Sequence, residues 1–144
     1  MEKELKQNPS SCVKIVLFGP ESSGKTTLAT QLAAHFNVQW VPEYMRTYLE
    51  LKWQSDKKTI EKKDLLPIAL GHIRDENKLA AQTHTLLLLD TNVLQIKTYC
   101  EYYYNGWCPA QIIKASQTHH YDYYFLTSIC LLNTSNAADE ETIE

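Results

Sequence analysis

The stretch from Val13 to Phe36 constrains this chain most, because it packs three different local signals into two dozen residues. VKIVLF at 13–18 is a nearly unbroken apolar run rich in β-branched residues, the pattern of a strand buried on both faces of a parallel sheet. Gly19 stops it, and from Lys25 the residues Leu28, Ala29, Leu32, Ala33 and Phe36 recur at helical spacing. Between them, Gly19, Gly24, Lys25 and Thr26 satisfy GxxxxGK[ST], whose glycines let backbone N–H groups turn inward around phosphates. Gly19, Pro20, Glu21, Ser22, Ser23, Gly24, Lys25, Thr26 and Thr27 are therefore the expected nucleotide-binding residues. Lys25 would reach the β- and γ-phosphates of ATP and Thr26 would ligate Mg²⁺, with the helix dipole adding to the anion's stabilisation.

Strand and helix signals alternate along the rest of the chain. VQWVP at 38–42 predicts a second strand ending at Pro42, and a short helix follows from Tyr44 to Lys52. Residues 53–63 are polar and predict a loop. Asp64 is placed as an N-cap, and Leu65, Ala69, Ile73 and Ala80 form one apolar stripe of a long helix. LLLLD at 86–90 repeats the buried-strand signal, and the helix after it carries Val93, Ile96, Cys100 and Tyr103 on one face. NGWCP breaks that helix, Pro109 suits the first turn of another, and YDYYFLT at 121–127 reads as a fourth strand. Such alternation predicts an α/β fold built on a parallel sheet. Residues 1–12 are expected to be a flexible N-terminus, 13–127 the nucleotide-binding domain, and 128–144, acidic and without periodicity, a disordered tail.

A chain of 144 residues is of single-domain size, and 44% hydrophobic with 22% charged residues is a globular composition. The formal charge of -3 supplies no general attraction to nucleic acid or anionic lipid, so neither is an expected partner. Cys12, Cys100, Cys108 and Cys130 form no CxxC pair, which signals neither a zinc site nor a redox motif. No signal peptide or membrane-spanning run is present in these residues, and a cytoplasmic protein is expected.

Two carboxylates fall at strand ends, where open α/β sheets bind ligands. Asp90 closes LLLLD and is the expected Mg²⁺ carboxylate, the competing role being an N-cap for the next helix. Glu43 follows VQWVP and is the candidate general base or hydroxyl ligand, with Arg46 as a phosphate or substrate clamp; a local i,i+3 surface pair is the plainer reading. Trp40 and Trp53 are expected to pack in the core. Of Tyr102, Tyr103 and Tyr104 one is expected buried and two partly exposed. His119 and His120 receive no role.

GPESSGKTTL alone resembles the loop of RecA-type recombinases, but no glycine- and lysine-rich DNA-binding region follows it. A wider resemblance runs through VLFGPESSGKTTLATQLAAHFN, WVPEYMRTYLE, DLLPIALGHI, LLLLDTN and YDYYFLT. In this order they resemble the nicotinamide-riboside kinase domain of NadR-type proteins, P-loop kinases classed with AAA-like ATPases. The resemblance implies a three-layer P-loop NTPase sandwich with a mostly parallel sheet. It also implies transfer of the ATP γ-phosphate to the 5′-hydroxyl of nicotinamide riboside, forming nicotinamide mononucleotide in NAD salvage. By motif, Lys25, Glu43, Arg46 and Asp90 would be catalytic, Thr26 and Asp90 would hold magnesium, and Glu43, Arg46 and Asn92 would face the riboside. The family's arginine-bearing C-terminal lid and last strand have no counterpart after Thr127, where Lys114 is already the last basic residue. A truncated end and slow transfer are therefore expected, since an arginine at the transferring phosphoryl group is worth roughly 10³–10⁵ in rate. The competing expectation is an ATP-binding regulatory or interaction module that performs no transfer.

Overall fold

The computed structural model describes residues 5–20 and 23–127. Four strands, β1 (Val13–Phe18), β2 (Trp40–Val41), β3 (Leu86–Asp90) and β4 (Tyr123–Leu126), alternate with helices α1 (Lys25–Phe36), α2 (Tyr44–Asp56), α3 (Leu65–Ala81), α4 (Val93–Tyr103) and α5 (Ala110–Thr118). The sheet runs β2-β3-β1-β4 with every pairing parallel. The two apolar runs lie at its centre, as strands covered on both faces must: Leu87, Leu88 and Leu89 are all buried. The register sets Leu17 of β1 opposite Asp90 of β3. That one pairing brings the carboxylate level with the start of the glycine loop.

Alternation assigns the two faces. Lys14 and Val16 of β1 share a face with Leu87 and Leu89 of β3, and α3 covers it, since Lys14 Nζ lies 2.8 Å from Glu76 Oε2. Leu17, Leu88 and Asp90 look to the other side, where α1 packs against β1, β2 and β3. Beyond the sheet, Leu65, Ile68, Ala69 and Ile73 of α3 form a second core with Val93, Ile96 and Cys100 of α4 and Ile112 and Ala115 of α5.

Several expectations are corrected. Residues 5–12, part of the segment expected to be flexible, are anchored at points: Leu5 and Cys12 are buried, and Asn8 N–H donates to Asn77 Oδ1 on α3 at 3.0 Å. Lys14, inside an apparently apolar run, is only 4% exposed and tied to Glu76 at 0%. The second strand shrinks to two residues, and α2 runs into the first part of the expected 53–63 loop, ending at Asp56. Trp53 then sits on the outer face of α2, 52% exposed, with Lys57 Nζ 5.9 Å from its ring centre. Trp40 is half-buried. Phe36 and Tyr103 also lie outside the core, and Tyr104 packs on it in place of Tyr103.

Asp64 precedes α3 but makes no side-chain cap to it. Its carboxylate accepts from the Glu61 N–H (2.8 Å), from Tyr48 (2.8 Å) and from Lys52. Burial alone would raise the carboxyl, but the Lys52 ammonium, the Glu61 amide and the Tyr48 hydroxyl together hold it below its ordinary value. The expected disorder of 128–144 lies outside the described residues.

Candidate functional site

Two glycines shape the described ends of the loop. Gly24 takes φ 88, a left-handed value that a side chain would strain, and its carbonyl accepts the first bond of α1 from Leu28 N–H. Gly19 is required for a different reason. A Cβ there would stand 2.3 Å from Thr127 Oγ1 at the end of β4. Ser23 Oγ donates to Pro20 O at 2.6 Å and also lies 2.6 Å from Thr127 Oγ1. Lys25 is buried, and its ammonium spans the loop mouth, donating to Gly19 O (3.0 Å) and Pro20 O (3.1 Å). Thr27 is exposed on the outer side of α1. Glu21 and Ser22 lie outside the described residues.

Thr26, Asp90, Arg46 and Glu43 are brought together from three separate elements. Thr26 Oγ1 donates to Asp90 Oδ2 at 2.6 Å. Arg46 Nη1 donates to the same threonine oxygen at 3.2 Å, and Arg46 Nη2 lies 3.4 Å from Glu43 Oε1. The i,i+3 pair thus forms, yet it also reaches the loop. Glu43 stands at the N-cap position of α2 in extended conformation without using its side chain as the cap.

Asp90 is 1% exposed and its Oδ1 is buried without a hydrogen-bond partner. A hydroxyl beside a carboxylate that keeps one oxygen open is the donor set a magnesium ion takes when it retains water and phosphate oxygens as its other ligands. The residues present fit that ion. Among the described residues no group of three or more His, Cys, Asp or Glu could hold a metal by itself. The cap role goes instead to Asn92, whose Oδ1 accepts from Leu94 N–H (3.2 Å) while Nδ2 donates to Tyr124 OH (2.9 Å).

Beside this cluster opens a cavity of ≈ 440 Å³, lined by Gly19, Glu43, Met45, His72, Thr91, Gln95, Tyr99, Tyr102 and Tyr103 among others. Its lining combines aromatic side chains with a few polar ones, the usual make-up of a small-molecule site. Tyr102 and Tyr103 are exposed because they line this opening. Several lining residues escaped the sequence reading, among them Gln95, Thr91 and His72. Gln95 Nε2 donates to Gly19 O at 3.2 Å and its Oε1 is buried without a partner. Thr91 has φ 71, which for a β-branched residue is strained by about 1–3 kcal/mol.

His72 is fully buried, and burial depresses its pKa below the ordinary 6.5. Its signal was available: Ile68, His72, Glu76 and Ala80 are four residues apart, so two polar residues sit in phase with the apolar stripe of α3. Among the described residues no helix is long and apolar enough to cross a membrane.

The trifunctional NAD biosynthesis/regulator protein NadR of Salmonella typhimurium is 30% identical over 89 residues, covering 62% of this chain and 22% of that protein. NadR of Escherichia coli matches to the same extent. The chain thus spans about a fifth of the length of these relatives. Among solved structures, NadR in complex with NR superposes with a TM-score of 0.70 at 19% identity, covering 90% of this chain and 38% of that one. NadR with NAD and AMP-PNP gives 0.66 at 20% identity over 92% and 38%. Thymidylate kinase from Ehrlichia chaffeensis gives 0.56 at 16% over 88% and 75%. At these identities the likeness is one of fold, and the fold is that of a P-loop kinase. The AAA domain family model matches residues 14–142, a span that takes in the loop lysine, the strand-end carboxylate and the whole sheet bar its first residue, and the chain belongs to that family.

Proposed function

We propose that this protein is an ATP-dependent small-molecule kinase acting on a nucleoside-like acceptor, with nicotinamide riboside as the substrate and nicotinamide mononucleotide as the product. The observation that carries the reading is the 2.6 Å contact between Thr26 and Asp90, with an open carboxylate oxygen beside a cavity bordered by Glu43. The NadR relatives, named for NAD biosynthesis and solved with NR and with AMP-PNP, support the choice of acceptor and of phosphate donor.

In this reading Lys25 exchanges its two carbonyl contacts for the β- and γ-phosphates, and backbone N–H groups at the start of α1 cradle them. Thr26 and Asp90 hold magnesium, which when bound would offset charge on the phosphate oxygens. Glu43 accepts the proton of the acceptor's hydroxyl, and Arg46 binds phosphate or acceptor oxygens in the fork its guanidinium provides. The ring of the acceptor lies among Tyr99, Tyr102 and Met45, where aromatic and sulfur contacts suit a flat, weakly polar or cationic heterocycle. Asn92, expected at the substrate, acts here by fixing the start of α4 below Asp90.

A coupled assay of the whole chain with ATP–Mg²⁺ and nicotinamide riboside tests this directly. Formation of the mononucleotide is the expected result. ATP binding in calorimetry without product from any riboside would replace the kinase by a nucleotide-binding module.

A further inference from the structure

The motif DLLPIALGHI is given no step in the chemistry above, yet its His72 touches both halves of the site. His72 is 1% exposed. Its Nε2 lies 3.2 Å from the Thr91 carbonyl, which can only accept, so the ring donates there. Nδ1 is then free to accept, and the Tyr44 N–H points at it from 3.4 Å. Thr91 directly follows Asp90, and Tyr44 directly follows Glu43. One neutral imidazole therefore spans the two chain segments that carry the two carboxylates.

Two further features make this a seat rather than a chance contact. Thr91 sits at φ 71 with its N–H bonded to Leu17 O at 3.0 Å, so its strained conformation is pinned on one side by β1 and on the other by His72. At the neighbouring position, a Cβ on Gly71 would fall 2.2 Å from the Tyr44 ring. Glycine is what lets the start of α2 settle against α3 close enough for the histidine to reach it.

We propose that His72 is a positioning residue: by holding the Thr91 carbonyl and the Tyr44 amide at once, it sets Glu43 at a fixed separation from the Thr26–Asp90 pair. Its catalytic consequence rests on the kinase reading above, whereas its structural consequence does not. Losing the imidazole frees Thr91 to leave the left-handed region and lets α2 drift, so the carboxylate for the acceptor and the one for magnesium lose their common frame. Phosphate binding through Lys25 and the loop is largely spared.

The test uses the full chain and four forms: parent, His72→Leu, Thr91→Gly and the double variant. In His72→Leu, amide exchange at Tyr44 should accelerate at least about tenfold while α5 amides are unchanged. ATP–Mg²⁺ affinity should stay within about threefold, and kcat should fall by about tenfold or more at unchanged KM for ATP. Because glycine adopts φ 71 without help, the kcat loss from His72→Leu should shrink to less than about half in the Thr91→Gly background. Unchanged Tyr44 exchange, or losses that simply multiply in the double variant, would overturn the proposal. If His72→Leu does not fold, His72→Met fills the same space without a strong acceptor for the Tyr44 N–H, and Tyr44 exchange should still accelerate. Should the parent transfer phosphate to no riboside, the kinase reading fails and Tyr44 exchange alone decides the seat.

Discussion

Two buried carboxylates, one on each face of the sheet, show what separates structure from function in this molecule. Glu76 has every oxygen engaged: Oε2 accepts from Lys14 Nζ and Gln7 Nε2, each at 2.8 Å, and Oε1 accepts from Tyr121 OH at 2.8 Å. Asp90 has one oxygen on Thr26 and one with no partner. The first cluster is closed and self-sufficient; burial, and next the Glu76 charge, drive the Tyr121 hydroxyl well above its ordinary pKa, so the hydroxyl stays a donor. The second is incomplete, and a buried carboxylate oxygen with no protein partner has room for a ligand that the protein itself does not supply.

The sharpest way to break this contrast is to truncate each carboxylate. Glu76→Ala should cost about 3–5 kcal/mol in urea unfolding, because it leaves Lys14 charged and unpaired among apolar side chains. Replacing Lys14 and Glu76 together by Met and Leu should cost far less. Asp90→Asn should move the unfolding free energy by under about 1 kcal/mol while abolishing the dependence of ATP binding on magnesium. A large unfolding penalty at Asp90, or a negligible one at Glu76, would erase the distinction.

The next largest effect concerns the loop. Lys25→Ala should weaken ATP–Mg²⁺ on the order of a hundredfold in calorimetry, since a charged contact worth about 1.5–3 kcal/mol is lost. Unchanged affinity would remove the loop from the site.

Acid sharpens the comparison more gently. His72 and His119 are both held below the ordinary 6.5, chiefly by burial. The unfolded chain takes up protons through that value before the folded one does, so this stability is present above it and is lost as pH falls beneath it. Urea midpoints should drop between about pH 7.5 and pH 5, and His72→Gln should flatten the slope. A slope unchanged by that substitution would mean His72 is already charged in the fold. The smallest effect belongs to Trp53, exposed on α2: Trp53→Ser should shift stability by no more than about 0.5 kcal/mol.

How far the site was legible follows from what kind of signal each residue carries. Lys25, Thr26, Asp90, Glu43 and Arg46 all stand at breaks in a hydrophobic pattern, and such breaks locate strand ends and loops directly. Lys14, His72 and Glu76 sit inside apolar patterns, where a polar residue reads as noise until its partner is known. Their partners are 62 residues away for the Lys14–Glu76 pair and 19 for His72 and Thr91. The outward turn of Trp53 and Phe36 was hidden for the converse reason, since apolar character states a preference for burial and not whether a neighbour is there to provide it.

The amino-acid sequence by itself determined the strand–loop–helix unit, the alternation that makes the sheet parallel and the identity of the residues proposed to bind phosphate, because each depends on local periodicity and backbone geometry. Only the tertiary structure decided that Asp90 keeps an oxygen open while Glu76 does not, and that one histidine bridges two carboxylate-bearing segments. Those outcomes depend on which distant groups share a low-dielectric space, and local pattern is blind to that.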